Sequence, residues 1–160
     1  INQCYPKWEL FVYDDGSDQK KTLDTLAEWK KIKDKRISIK FGKSNIGAPK
    51  VLNKLIGDTK GSFLVFLEHD DLIRKDALFR IVSTLVTDKK IDFIYSDEYK
   101  INEDGVYFDP YFKPDLKEDS LLTHNYIGSI AVIKKSTGNQ INWFRKEYES
   151  SHFYDLFIRF

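Results

Sequence analysis

The sequence predicts an α/β fold built on a mostly parallel, doubly wound sheet with helices on both faces. Short apolar, β-branched or aromatic runs alternate with segments of helical period. Each run stops at a turn or an acidic cluster. The run Phe63-Leu64-Val65-Phe66-Leu67 is continuously apolar, as a strand covered on both faces is.

Trp8 to Tyr13 is an aromatic and β-branched run halted by Asp14-Asp15-Gly16-Ser17, a turn signal. From Thr22 to Lys33, Leu23, Leu26, Ala27 and Ile32 share a helical face. Ile37, Ile39 and Phe41 alternate with polar residues and predict a half-buried strand, closed by the turn Gly42 to Gly47. Ala48, Val51, Leu52, Leu55 and Ile56 follow i, i+3, i+4, i+7, i+8 spacing, with Pro49 suited to a first turn. Gly61 leads into the apolar strand SFLVFLE. Leu78, Ile81, Val82 and Leu85 mark a helix started near Asp76, and Ile91 to Tyr95 a fourth strand ending at Ser96-Asp97-Glu98. Beyond Asn102, Pro110, Pro114 and scattered aromatics predict irregular structure, then a strand near Ile127 to Ile133. No repeat or linker interrupts the chain, so residues 1–160 are expected to form a single domain.

At 160 residues, with 41% hydrophobic and 32% charged residues, the chain can bury a core and is not disordered. A net charge of +1 gives no general polyanion surface, and no nucleic-acid partner is expected. The apolar run at Phe63–Leu67 falls far short of the ~20 residues of a membrane span. Cys4 is alone and has no internal disulfide partner, which makes a reducing, cytoplasmic compartment the default. Lys30, Lys31, Lys33, Lys35 and Arg36 read as a solvated helix end, with weak contact to anionic lipid at the inner face of a membrane as the functional alternative. The sequence holds no methionine, even at position 1, so we expect it to be part of a longer chain.

In open α/β sheets ligands bind beyond the carboxyl ends of the parallel strands. Asp14-Asp15, Glu68-His69-Asp70-Asp71 and Asp97-Glu98 all fall there. Three acidic clusters on one sheet edge repel, and a hard divalent cation, Mg²⁺ or Mn²⁺, is the simplest compensator. Capping aspartates in polar loops are the plainer alternative. His69-Asp70 ends a strand, which separates it from the helical HD hydrolases. Gly42 to Gly47 lacks the Walker pattern and reads as a turn before a helix whose amides favour an anion.

Taken in order, these segments resemble family 2 glycosyltransferases of the GT-A (Rossmann-like) fold. QCYPKWELFVYDDGS resembles the family's second-strand signature, and NIGAPKVLN its asparagine–glycine turn and following helix. GSFLVFLEHDD resembles the strand ending in an Asp-x-Asp metal motif. DFIYSDEYKI, YFKPD and HNYIG are similar to the bacterial branch that builds surface polysaccharides, rhamnosyltransferases included. The resemblance implies a metal-dependent, inverting transfer of a sugar, hexosyl or deoxyhexosyl, from a nucleotide-diphosphate donor to a hydroxyl of a bacterial cell-surface glycan or lipid-linked acceptor. Asp15 matches the residue that reads the donor's base, supported by Asp14; Asn45, Gly47 and Asn53 match positions beside the nucleotide. Glu68 and Asp70 match the two acids that hold the ribose and the metal. Asp71, Asp97, Asn125 and His152 match positions near the acceptor or behind the ligands.

The chain departs from the family pattern in three places. Glu68 opens the metal motif in place of aspartate. The ending His152-Phe153-Tyr154-Asp155-Leu156 puts Phe153 where the catalytic base is expected, and phenylalanine accepts no proton, which leaves Asp155, or His152 beside it, as the candidate base if the local helix is rotated. The family's first strand, expected between the WELFVY and SFLVFLE strands, is absent, so a preceding segment or a second chain is expected to complete the sheet. The competing expectations are a GT-A module that binds nucleotide or glycan without turnover, and a metal-dependent phosphohydrolase using the same acids.

Overall fold

A computed structural model describes residues 1–160. The elements run β1 Leu10–Asp14, α1 Lys20–Lys30, β2 Ile37–Phe41, α2 Ala48–Asp58, β3 Phe63–Phe66, α3 Ala77–Thr87 and β4 Phe93–Tyr95. They continue β5 Glu98–Ile101, β6 Tyr107–Tyr111, α4 Glu118–Thr123, β7 Ala131–Lys134, α5 Lys135–Gln140, a 3₁₀ segment Lys146–Ser151 and α6 His152–Ile158. The chain divides into two units, Tyr5–Ser62 with Asn139–Phe160, and Ile1–Cys4 with Phe63–Gly138. No helix is long and apolar enough to cross a membrane.

In the unit of Tyr5–Ser62 and Asn139–Phe160, β1 and β2 form a parallel ladder, Leu10 opposite Ile37 through Asp14 opposite Phe41. The apolar positions Val51 and Ile56 of α2 are buried, and Ile39, Trp143, Phe144, Leu156 and Phe157 are other buried apolar residues of the unit. Gly47 begins α2 with Pro49 in its first turn, where the missing amide proton costs nothing. Glu9 accepts from the Lys60 and Gly61 amides at 2.5 and 2.9 Å, fixing the end of the α2–β3 connection. Asp155, 4% exposed at its side chain, sits between Arg145 and Arg159. Arg159 also donates to the carbonyls of Ile141 and Trp143. A buried carboxylate between two guanidiniums stays ionised, and Arg145, ahead of the burial that opposes it, holds the Asp155 carboxyl below its ordinary value.

In the other unit the sheet order is β3-β7-β4. β7 is antiparallel to both neighbours, with Val132 opposite Val65 and Ile94, and its Ala131, Val132 and Ile133 are at most 1% exposed. β3 and β4 run in the same direction, as the strand–helix alternation predicts, but an antiparallel strand separates them. Apolar patterning encodes burial and not strand direction, so the sequence leaves that insertion silent. Asp92 anchors β7 and α5 to the start of β4, accepting from Lys134 Nζ and Thr137 Oγ1, both at 2.8 Å.

The stretch expected to be irregular holds an antiparallel hairpin, β5–β6, with a register shift between Glu98 and Lys100. Lys113, 1% exposed at its side chain, pins its base: Nζ donates to Glu98 Oε2 at 2.9 Å and to the Ile127 carbonyl at 2.5 Å. Gly128, at φ 70°, leaves room for that pair, since a Cβ there would stand 2.5 Å from Glu98 Oε2 and 2.6 Å from Lys113 Nζ.

Three substitutions probe these contacts and the α2 helix. Gly128→Ala is expected to lower unfolding free energy by about 1–3 kcal/mol through left-handed strain and displacement of the Lys113 pair. Gly57→Ala, in the last turn of α2 with open space at its Cβ position, should raise it by about 0.5 kcal/mol; denaturant titration of both variants checks the contrast. Asp155→Asn is expected to cost about 3 kcal/mol at neutral pH by leaving guanidinium uncompensated. Because the folded carboxyl is held below 3.8, its stabilisation is complete above that pH and is lost as pH falls below it. The gap between wild type and Asp155→Asn thermal midpoints should therefore close on acidification and stay constant from pH 5 to 7.

Candidate functional site

The turn after β1 carries Asp14 and Asp15. Asp14 is buried and its Oδ2 accepts from the Ser17 amide at 3.3 Å, shaping the turn. Asp15 reaches the start of α2: Oδ1 accepts from the Ile46 amide at 3.0 Å and Oδ2 from the Gly47 amide at 2.9 Å. Asn45 Oδ1 accepts from the same Gly47 amide at 3.0 Å. Gly16, at φ 84°, completes the join, since a Cβ there would stand 2.8 Å from the Ser44 carbonyl carbon. The structure thus brings Asp14, Asp15, Asn45 and Gly47 to one corner. Sequence inspection missed Glu149, whose carboxylate lies against Gly47 at this corner. Nothing in its local sequence, an exposed glutamate in a charged segment, marks it.

The turn after β3 carries Glu68, Asp70 and Asp71 in the other unit. It is closed by the Asp71 amide donating to the Glu68 carbonyl and by Asp71 Oδ2 accepting from the Glu68 amide, both at 3.3 Å. Glu68 and Asp70 are exposed. The nearest cation partner of Asp70 is His69, 97% exposed and 3.9 Å away. Neither carboxylate has an amide, lysine or arginine partner.

The third acidic cluster is already compensated. Asp97 Oδ1 accepts from the Lys113 amide at 2.8 Å and Glu98 holds the Lys113 ammonium. β1 and its Asp14-Asp15 turn belong to a sheet separate from the one that holds β3 and β4, so the three acidic clusters do not share one sheet edge as expected; of the two that follow β3 and β4, Asp97-Glu98 is satisfied by Lys113, leaving Glu68-Asp70. Hard carboxylate oxygens suit Mg²⁺ or Mn²⁺. No group of three His, Cys, Asp or Glu side chains is gathered to cage an ion. Glu68 and Asp70 offer two hard oxygen donors, fewer than such an ion takes, so further ligands would have to come from outside these side chains.

Other expected site residues sit in structural roles. Asn53 spends both ends of its amide on Phe144, donating to its carbonyl at 2.8 Å and accepting from its amide at 3.2 Å, so it fastens α2 to the 144 segment instead of facing a nucleotide. Asn125 Oδ1 accepts from the Ile127 amide at 3.2 Å and shapes its own turn. His152 Nδ1 lies 2.7 Å from the Glu149 carbonyl, its ring against Phe144 and Phe153. Phe153 packs edge-on to Phe144 at 5.2 Å. Asp155 does not suit proton uptake: two arginines occupy its oxygens and hold its pKa down, which makes it a weak base. In the basic run, Arg36 is engaged by Asp34 and by the Trp8 ring, 3.9 Å from its centroid, while the lysines are exposed.

Residues 1–139 match the model of glycosyl transferase family 2. The chain is 32% identical to the uncharacterized protein y4gI of Sinorhizobium fredii over 98% of its own length and 17% of that protein. It is 25% identical to the O-antigen biosynthesis protein RfbC of Myxococcus xanthus over 99% of itself and 12% of RfbC. The chain therefore spans under a fifth of either relative. Among solved structures, S. aureus TarS 1–349 is similar at TM-score 0.71 and 19% identity, covering 99% of this chain and 47% of that one. Its likeness is one of fold, GT-A. The chain belongs to glycosyl transferase family 2.

Proposed function

We propose that this chain is the donor-handling domain of an inverting glycosyltransferase that moves a sugar from a nucleoside diphosphate to a hydroxyl of a bacterial surface glycan. The observation that carries the reading is the contrast among strand-end acids: Glu68 and Asp70 alone are left exposed with no amide, lysine or arginine partner. The O-antigen role in the name of RfbC agrees with a surface-glycan acceptor. The motif likeness to rhamnosyltransferases puts a deoxyhexose first among donor sugars.

Asp15, whose oxygens already orient the Ile46 and Gly47 amides, would accept from the donor's pyrimidine base. Glu68 would take the ribose hydroxyls, and Asp70 would hold the cation with Glu68 beside it. A divalent ion bound there would neutralise charge building on the departing diphosphate. The acceptor hydroxyl forms the new bond to the anomeric carbon as the bond to diphosphate breaks on the opposite face. Its proton goes to a carboxylate. Asp155, committed to two arginines, is not that carboxylate. A cytoplasmic setting is in keeping with Cys4, a free, exposed thiol.

Phe153, built into an aromatic cluster, favours a second reading: a module that binds donor without turnover. Calorimetry with uridine and thymidine diphosphates, with and without Mn²⁺, separates the readings when combined with a transfer assay. The proposal expects metal-enhanced binding that Asp70→Ala abolishes while the melting transition is kept; unchanged affinity in that variant overturns the metal role. Binding without sugar transfer supports the module, and release of inorganic phosphate supports the hydrolase.

A further inference from the structure

We propose that a cleft alongside β4 is a subsite for an uncharged, hydroxyl-rich sugar ring of the acceptor. This rests on the glycosyltransferase reading and narrows its substrate class. The cleft has a volume of about 540 Å³ and is lined by the β4 strand through Asp97 and by the segment from Lys113 to Leu116. That size is within the range of small-molecule sites.

Its wall is aromatic and rigid. The Phe93 and Tyr95 rings lie 5.8 Å apart, and Tyr95 packs edge-on to the buried Tyr126 at 6.1 Å. Tyr95 donates its hydroxyl proton to the Pro114 carbonyl at 2.6 Å. Burial, ahead of the Tyr126 contact, pushes its phenol up to about 12, so it stays a neutral donor. A fixed aromatic side chain offers apolar area at little entropic cost, which suits the C–H face of a pyranose.

The rim is oxygen-rich and anionic. Asp97 keeps one carboxylate oxygen beyond the one facing the Lys113 amide, and Asp115 accepts no hydrogen bond from the protein. The Ser96 hydroxyl is exposed beside them. Lys113, the one cation lining the cleft, turns its ammonium onto Glu98 and Ile127 and is 1% exposed. The cleft therefore presents acceptors for sugar hydroxyls and no free positive charge. A uronate, phosphate or sulfate entering it meets like charge without a counterion, which should weaken it about tenfold against the neutral ring.

The test is an amide-resolved NMR titration of the 160-residue chain with methyl α-L-rhamnopyranoside, methyl β-D-glucopyranoside and methyl β-D-glucopyranosiduronic acid. Signals from 93–97 and 113–116 should respond to the neutral glycosides, with the uronate about tenfold weaker. Asp115→Ala, an exposed loop change, should weaken the neutral glycosides about tenfold and narrow the gap to the uronate. Responses centred elsewhere, no response, a uronate bound as well as a neutral glycoside, or an Asp115→Ala chain that binds unchanged would each overturn the subsite. Uridine diphosphate with Mn²⁺ is titrated into the same samples. Nucleotide binding without glycoside binding removes this subsite and leaves the donor reading standing. Glycoside binding without nucleotide binding does the reverse.

Discussion

Main-chain amides at the ends of elements need acceptors, and this chain supplies them chiefly with carboxylates. Asp14 takes Ser17, Asp15 takes Ile46 and Gly47, Glu9 takes Lys60 and Gly61, Asp71 takes Glu68, and Asp97 takes Lys113. Each is a loop closure, and most lie at strand ends where the fold places its chemistry. An acid that closes a loop is also an acid oriented by it, because the amides it accepts from fix its rotamer. The carboxylate of Asp15 is positioned by the same contacts that position Gly47 and the start of α2.

The same requirement separates structural acids from those open to a ligand. Asp155 and Glu98 are matched by cations, Asp34 and Asp76 are held near pKa 2 chiefly by Arg36 and Arg74 respectively, and Asp92 is held by Lys134. Glu68 has no side-chain partner in the protein, and Asp70 has only the exposed His69 ring, 3.9 Å away. Exposure alone would say little, since most surface carboxylates are solvated. Their place at the end of a buried strand in a glycosyl transferase family 2 fold gives the exposure its meaning.

Much of the fold was legible in the sequence wherever one period ruled. The Ala48–Ile56 spacing gave α2 its start, Ile37–Phe41 emerged as β2, and Asp76 stands at the N-cap of α3, although its carboxylate binds Arg74 and Arg80 instead of capping amides. The β5–β6 hairpin was not legible, because Pro110 sits inside β6 and the strand is exposed throughout, so no alternation survives. Nor was the placing of β7 between β3 and β4, a long-range pairing. At the site, residue type pointed to Asp15, Glu68 and Asp70 as acids at strand ends. The roles of Asn53 and Asp155 depend on partners 91 and 10 residues away, Phe144 and Arg145, and no local pattern announces such contacts.

On the reading proposed above, Glu68 and Asp70 take a cation together with a nucleoside diphosphate. Mn²⁺ titrated into isotope-labelled protein tests it through paramagnetic broadening of assigned amides. Micromolar Mn²⁺ is expected to broaden residues 68–71 when uridine diphosphate is present and to leave them sharp without it, while the Ile46 and Gly47 amides shift with the nucleotide. Broadening centred on another carboxylate, or at residues 68–71 to the same extent without nucleotide, would contradict it.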